Sequence, residues 1–132
     1  MEQYVVMLQT DADDRDITEW AMEETGSNIP VKFIADMKEL ETVTASFGDP
    51  ALILLNDREA AHKGYERLGQ LKADPSYSHI PLIVLGEISA KDYIMACYRA
   101  GANSFITKPS TVEATKKKIN TFFEYWFKVA EI

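Results

Sequence analysis

The sequence predicts an alternating α/β domain, a parallel sheet of five strands with helices on both faces. Three observations carry this. Five short apolar runs are continuous rather than alternating, as strands covered on both faces must be. Turn residues bracket each run. The stretches between them place apolar residues at helical spacing, and that strand–helix order implies right-handed crossovers. The 132 residues fit one domain, residues 1–132.

The first strand is read at Tyr4–Leu8 and the first helix from Asp14 to about Glu24, with Ile17, Trp20 and Ala21 on its apolar face. Asp13 or Asp14 suits its N-cap. Val31–Ala35 follows Pro30 as the second strand, and the next helix runs from Asp36 to about Phe47, stopping at Gly48. Ala51–Leu55 is the third strand, followed by a helix from Ala61 to about Ala73. Leu82–Leu85 is the fourth, followed by a helix from Ser89 to about Ala100 that ends at Gly101 and buries Met95 and Cys97. Ser104–Thr107 is the fifth. The last helix opens with Ser110 three residues before Glu113, a capping box, and is expected to reach about Val129.

Charge excludes several partners. Fourteen basic and 21 acidic residues leave a net charge of −7. Nucleic acid and anionic membranes need a basic footprint, so neither is expected as a partner. No apolar run reaches membrane-spanning length, and Met1–Asp11 lacks the basic start of a secretory signal. A single cysteine, Cys97, forbids an internal disulfide. The expected location is cytoplasmic.

Ligands of such sheets sit beyond the carboxyl ends of the strands. The residues there carry no phosphate-cradling glycine loop, no dinucleotide fingerprint and no nucleophile elbow. His62 and His79 are not at metal-ligand spacing. Asp11, Asp13, Asp14, Asp57 and Glu59 form an acidic set that either caps helices or binds a hard cation. Lys108-Pro109 closes the fifth strand. It is either a solvated charge before a turn or a functional lysine projected by a cis bond.

Several stretches together resemble the CheY-like receiver domains of bacterial response regulators, over essentially the whole chain. They are Leu52-Ile53-Leu54-Leu55, Gly64, Leu71-Lys72-Ala73-Asp74-Pro75, His79-Ile80-Pro81 with Leu82–Leu85, and Gly101-Ala102-Asn103-Ser104-Phe105-Ile106-Thr107-Lys108-Pro109. The Lys-Ala-Asp-Pro and His-Ile-Pro pieces and Tyr125-Trp126-Phe127 are similar to single-domain regulators that partner bacterial phytochromes and other sensor kinases. The resemblance implies a flavodoxin-like sheet of order 2-1-3-4-5. It also implies an Asp after the third strand that takes a phosphoryl group, an acidic pair after the first that holds Mg²⁺, a hydroxyl residue after the fourth, a lysine after the fifth, and an aromatic switch residue.

The match fails at the chemistry. The phosphoacceptor position falls on Asn56, eight residues before Gly64. The acidic pair falls on Gln9 and Thr10, the hydroxyl on Gly86, and a usual proline on Ala60. Lys108 and the aromatic Phe105 match. An amide is a poor nucleophile, and Gln and Thr bring Mg²⁺ no negative charge. The resemblance therefore implies a pseudo-receiver: no catalytic residue, no cofactor, no enzymatic activity, and signalling by protein–protein contact. A phosphorylatable receiver with its acids shifted to Asp11 and Asp57 is the alternative, with Mg²⁺ as its cofactor. Alternation along the strand turns Asp57 away from the face of Asn56. A small metal-dependent hydrolase is a third reading; it lacks a histidine base. Asn56 either caps the pocket against Lys108 or backbone donors, or forms a contact with Lys108 that locks one signalling state. Lys108 otherwise pairs with Asp11 or Asp57.

On the last helix Ile119, Phe122, Trp126 and Val129 form one apolar stripe, and Phe123 and Phe127 a second. Two stripes exceed what one sheet face needs. Both are core, or Phe123, Trp126 and Phe127 mark an interface, by default a two-fold homodimer. Lys116-Lys117-Lys118 reads as a solvated face or a site for an acidic partner. A sensor histidine kinase or phytochrome-type sensor is the expected partner, and no output domain is expected after Ile132.

Overall fold

A computed structural model describes residues 3–9, 11–24, 29–57, 64–86 and 90–132, leaving aside the side chains of residues 57, 64 and 65. Thr10, Glu59, Ala60, His62, Ser89 and the side chain of Asp57 therefore lie outside the described residues.

The elements follow in strict alternation. They are β1 (Val5–Leu8), α1 (Ala12–Glu24), β2 (Val31–Ile34), α2 (Met37–Phe47), β3 (Leu52–Asp57), α3 (Gly64–Ala73), β4 (Leu82–Gly86), α4 (Lys91–Ala100), β5 (Ser104–Thr107) and α5 (Val112–Glu124). The sheet is parallel throughout, in the order β2-β1-β3-β4-β5. β1 pairs with both β2 and β3, setting Leu8 beside Ile34 and Leu55.

Alternation along each strand divides the core into two layers. Val6, Leu8, Ile53, Leu55 and Val84 join Leu40, Leu68, Leu71 and Cys97 on one face. Val5, Met7, Leu52, Leu54 and Ile83 join Met22 of α1 and Phe123 of α5 on the other. The same parity carries Gln9 and Asn56 onto the α1–α5 face, above Met7 and Leu54.

Helix ends obey local chemistry. The Asp36 carboxylate accepts the Glu39 N–H at 2.9 Å, and α2 stops at Gly48, whose φ of 81° suits a residue without Cβ. Gly101 ends α4 with φ 116°. Two expected caps shift. α1 is capped by Asp11, not Asp13 or Asp14: the Asp11 Oδ1 accepts the Asp14 N–H at 3.0 Å. α5 is capped by Thr111, whose hydroxyl accepts from Ala114 N–H at 3.2 Å. The capping box predicted from Ser110 to Glu113 therefore does not form, because the chain turns helical one residue later. The backbone holds no cis peptide among the described residues, so the Lys108–Pro109 bond is trans.

Other expectations are corrected by packing. Met95 is 39% exposed rather than core. Trp20 is 52% exposed, because the residue of α5 that covers it is Lys116, whose Nζ stands 3.5 Å from the ring centroid. Lys116 is itself buried and donates to Glu24 Oε1 at 2.7 Å, so the lysine run is not one solvated face. Lys118 donates to the Thr107 carbonyl at 2.7 Å.

The last helix was expected to run as one α-helix to about Val129; its final residues, Tyr125–Val129, wind instead as a π-helical turn. The wider turn gives three consecutive aromatic rings more room. Both apolar stripes lean on the core. Phe123 is buried, and Ile119, Phe122, Trp126 and Phe127 pack against its cluster. Phe127 stacks on Phe123 at 6.0 Å. Tyr125 and Val129 remain exposed.

Candidate functional site

Four strands bring their carboxyl ends together here. Gln9 follows β1 and is buried. Asn56 lies on β3 beside Leu85 of β4, the first of two polar residues by which the strand extends past Leu55, where the sequence reading ends it. β4 alone carries the ladder past the apolar run, pairing Asn56 with Leu85 and Asp57 with Gly86. Gly86 ends β4, and Lys108 follows β5, donating its N–H to the Gly86 carbonyl at 2.8 Å.

Gln9 organises the pocket. Its Oε1 accepts the Asp11 N–H at 3.0 Å and the Asn56 Nδ2 at 3.2 Å. Its carbonyl accepts Arg15 Nε at 2.7 Å. The expected contact of Asn56 with Lys108 is thus replaced by an amide–amide contact with Gln9. Lys108 Nζ donates to Asp14 Oδ1 at 2.5 Å, the two side chains being 24% and 12% exposed. Asp14 is a partner the sequence reading did not name for Lys108, and the expected pairing with Asp57 lies outside the described side chains. Asp14 sits in the first turn of α1, and once Asp11 caps that helix its carboxylate faces the sheet tip. The three adjacent acids gave no way to choose among them.

Two of the carboxylates described at this end are already engaged. Asp11 spends an oxygen on its cap and Asp14 meets a lysine. No group of three His, Cys, Asp or Glu residues among the described residues is placed to hold a metal ion. Mg²⁺ sheds water reluctantly and asks for carboxylates beside it. No oxygen nucleophile is offered by Asn56, whose amide nitrogen lone pair is delocalised.

Gly86 and Phe105, the expected switch positions, lie against each other. A Cβ placed on Gly86 would stand 2.5 Å from Phe105 Cζ. Phe105 meets Tyr93 of α4 edge-on at 5.9 Å, and its N–H donates to the Tyr98 hydroxyl at 3.0 Å. The ring therefore fills the space above the glycine and faces α4.

Solved structures share this fold from end to end. The phosphorylated cyanobacterial phytochrome response regulator RcpA superposes with a TM-score of 0.86 over 99% of this chain and 98% of its own, at 23% identity. This chain has the fold of a CheY-like response regulator receiver domain. A response regulator from Hahella chejuensis matches this chain with a TM-score of 0.85 at 21% identity, over 99% of both chains. The red-light regulator RPA3017 of R. palustris gives 0.83 at 17%, covering 98% of this chain and 96% of its own.

Among curated sequences, the probable methanogenesis regulatory protein FilR2 of Methanothrix harundinacea is 31% identical over 77 residues, 58% of this chain and 50% of that protein. The chemotaxis protein CheY of Pseudomonas aeruginosa is 31% identical over 61 residues, 46% of this chain and 49% of that protein. The chain spans about half the length of these relatives. No protein-family model matches it. Among the described residues no helix is long and apolar enough to cross a membrane.

Proposed function

We propose that the receiver acts in signal transduction as a pseudo-receiver, through protein–protein contact and without taking up a phosphoryl group. One observation carries the reading: the amide of Asn56 stands at the carboxyl end of β3 and is bonded to the amide of Gln9. Where the family resemblance places a nucleophile and a cation site, this pair offers neither. Lys108 is held by Asp14, a substitute for the charge a phosphoryl group would bring.

A sensor histidine kinase or phytochrome-type sensor is the proposed partner. The resemblance to phytochrome-linked regulators over essentially the full chain supports it. The proposed homodimer uses the end of the last helix, where exposed Tyr125 and Val129 border Trp126 and Phe127. Phe123 is buried beneath them and supports this surface from below.

Beryllofluoride with Mg²⁺ tests the reading. Fluorescence of Trp20 and Trp126 should not change on its addition. A saturable change would assign the pocket to a phosphorylatable receiver with Asp11 and Asp57 as its acids. Sedimentation tests the dimer: two subunits are expected, and Trp126→Ala should weaken them.

A further inference from the structure

β5 forms one outer edge of the sheet, since the order runs β2-β1-β3-β4-β5. An edge strand presents a row of N–H and C=O groups to any extended chain that approaches it. In a parallel strand the N–H and C=O of one residue point the same way, and the direction alternates along the chain. The Lys108 N–H reaches inward to the Gly86 carbonyl. Ser104 and Ile106 therefore face β4 as well, and Phe105 and Thr107 direct their backbone groups outward.

Side chains meet those groups from both faces of the sheet. The Phe105 N–H donates to the hydroxyl of Tyr98, on α4, at 3.0 Å. The Thr107 carbonyl accepts from Nζ of Lys118, on α5, at 2.7 Å. α4 packs on one face and α5 on the other, so the two side chains close round the edge from opposite sides. Both are exposed, so burial alone does not place them there.

Their positions select the pairing they oppose. A second copy laid antiparallel, with Ile106 against Ile106, would set Phe105 opposite Thr107 on both sides of the centre. Each such pair exchanges two bonds, Phe105 N–H to Thr107 carbonyl and Thr107 N–H to Phe105 carbonyl. That register uses every outward group of β5. The first bond of each pair joins the two groups that Tyr98 and Lys118 already hold. Half of the ladder is thereby lost, on a strand of only 4 residues.

We propose that Tyr98 and Lys118 guard the edge of β5, keeping a second copy of this chain from pairing with it and extending the sheet. The guard lies outside the phosphoryl pocket and holds under either reading of that pocket.

Amide hydrogen exchange by NMR and sedimentation test it. The Phe105 amide should exchange slowly although no strand lies beyond it. Tyr98→Phe should speed that exchange roughly five-fold, the value of one hydrogen bond, and leave the inward Ile106 amide unchanged. The Tyr98→Phe/Lys118→Met double variant should form larger assemblies than the wild-type chain as concentration rises, and its Thr107 amide should slow in step. The dimer proposed for the last helix is common to both chains and cancels in this comparison. Unaltered Phe105 exchange in Tyr98→Phe would overturn the proposal. So would a double variant that keeps the wild-type mass across the concentration range, or one that associates while its Thr107 amide exchanges as fast as before.

Discussion

The ring of Phe105 occupies the space that any side chain at position 86 would enter: a Cβ on Gly86 would lie 2.5 Å from Phe105 Cζ. The glycine and the inward aromatic therefore require each other. In Gly86→Ser the ring, a freely rotating far end, should swing out toward solvent and leave Tyr93. Overpacking and the loss of a flexible glycine in a strand oppose each other, so stability should change by about 1 kcal/mol or less. Loss of the Tyr93–Phe105 cross-peak in NMR would show the swing; an unmoved ring would refute it.

Restoring one carboxylate should not restore the cation site. In Asn56→Asp the new oxygens face Gln9 Oε1, acceptor against acceptor, where a donor now stands at 3.2 Å. The variant should lose about 1–2 kcal/mol in urea unfolding. Calorimetric titration with Mg²⁺ should find no binding in the range typical of carboxylate pockets, since Gln9 stays neutral.

Lys116 ties α5 to α1 in two ways, lying over Trp20 and meeting Glu24 at 2.7 Å. Its side chain is 7% exposed and that of Glu24 is 42%, so screening discounts the ion pair. The packing of its stem and the ring contact matter more. Lys116→Ala should cost about 2 kcal/mol and Lys116→Met clearly less, measured by chemical unfolding with Trp20 fluorescence as reporter. Equal losses would move the weight to charge.

Alkaline stability should depend on Tyr4. Burial, then the nearby Asp49 and Tyr77, raise its hydroxyl above the ordinary 10.0. Its O–H also donates to the Gly48 carbonyl. In the unfolded chain the group ionises first, so its contribution is complete below pH 10 and is lost as pH rises through the folded value. Tyr4→Phe should be less stable at neutral pH by about 1 kcal/mol. That deficit should shrink as the pH is raised past 10 in paired unfolding curves. Lys72 works with the opposite sign. Desolvation lowers it from 10.5, so stability rises as pH climbs from its lowered value; Tyr4→Phe leaves that contribution in place and isolates the tyrosine.

Much of this was readable from residues. The apolar runs around Val5–Leu8, Leu52–Leu55 and Leu82–Leu85 placed the strands, because fully covered strands need no polar alternation. Asp36, Gly48 and Gly101 bounded helices through chemistry local to the chain. What was not readable depended on neighbours distant in sequence. Asp11, Asp13 and Asp14 are equivalent in sequence until Asp11 caps α1 and Lys108 meets Asp14. Trp20 fits an apolar face until Lys116 covers it. Asn56 and Asp57 look like a loop until β4 pairs with them. The identity of the pocket residues was legible; that Gln9 and Asn56 would bond to one another was not.

We propose that the amide at position 56 leaves this chain without a phosphoryl acceptor. Intact-mass analysis after incubation with acetyl phosphate and Mg²⁺ tests it most directly. The account predicts an unchanged mass. A phosphoryl adduct mapped to Asp57 or Asp11 would contradict it.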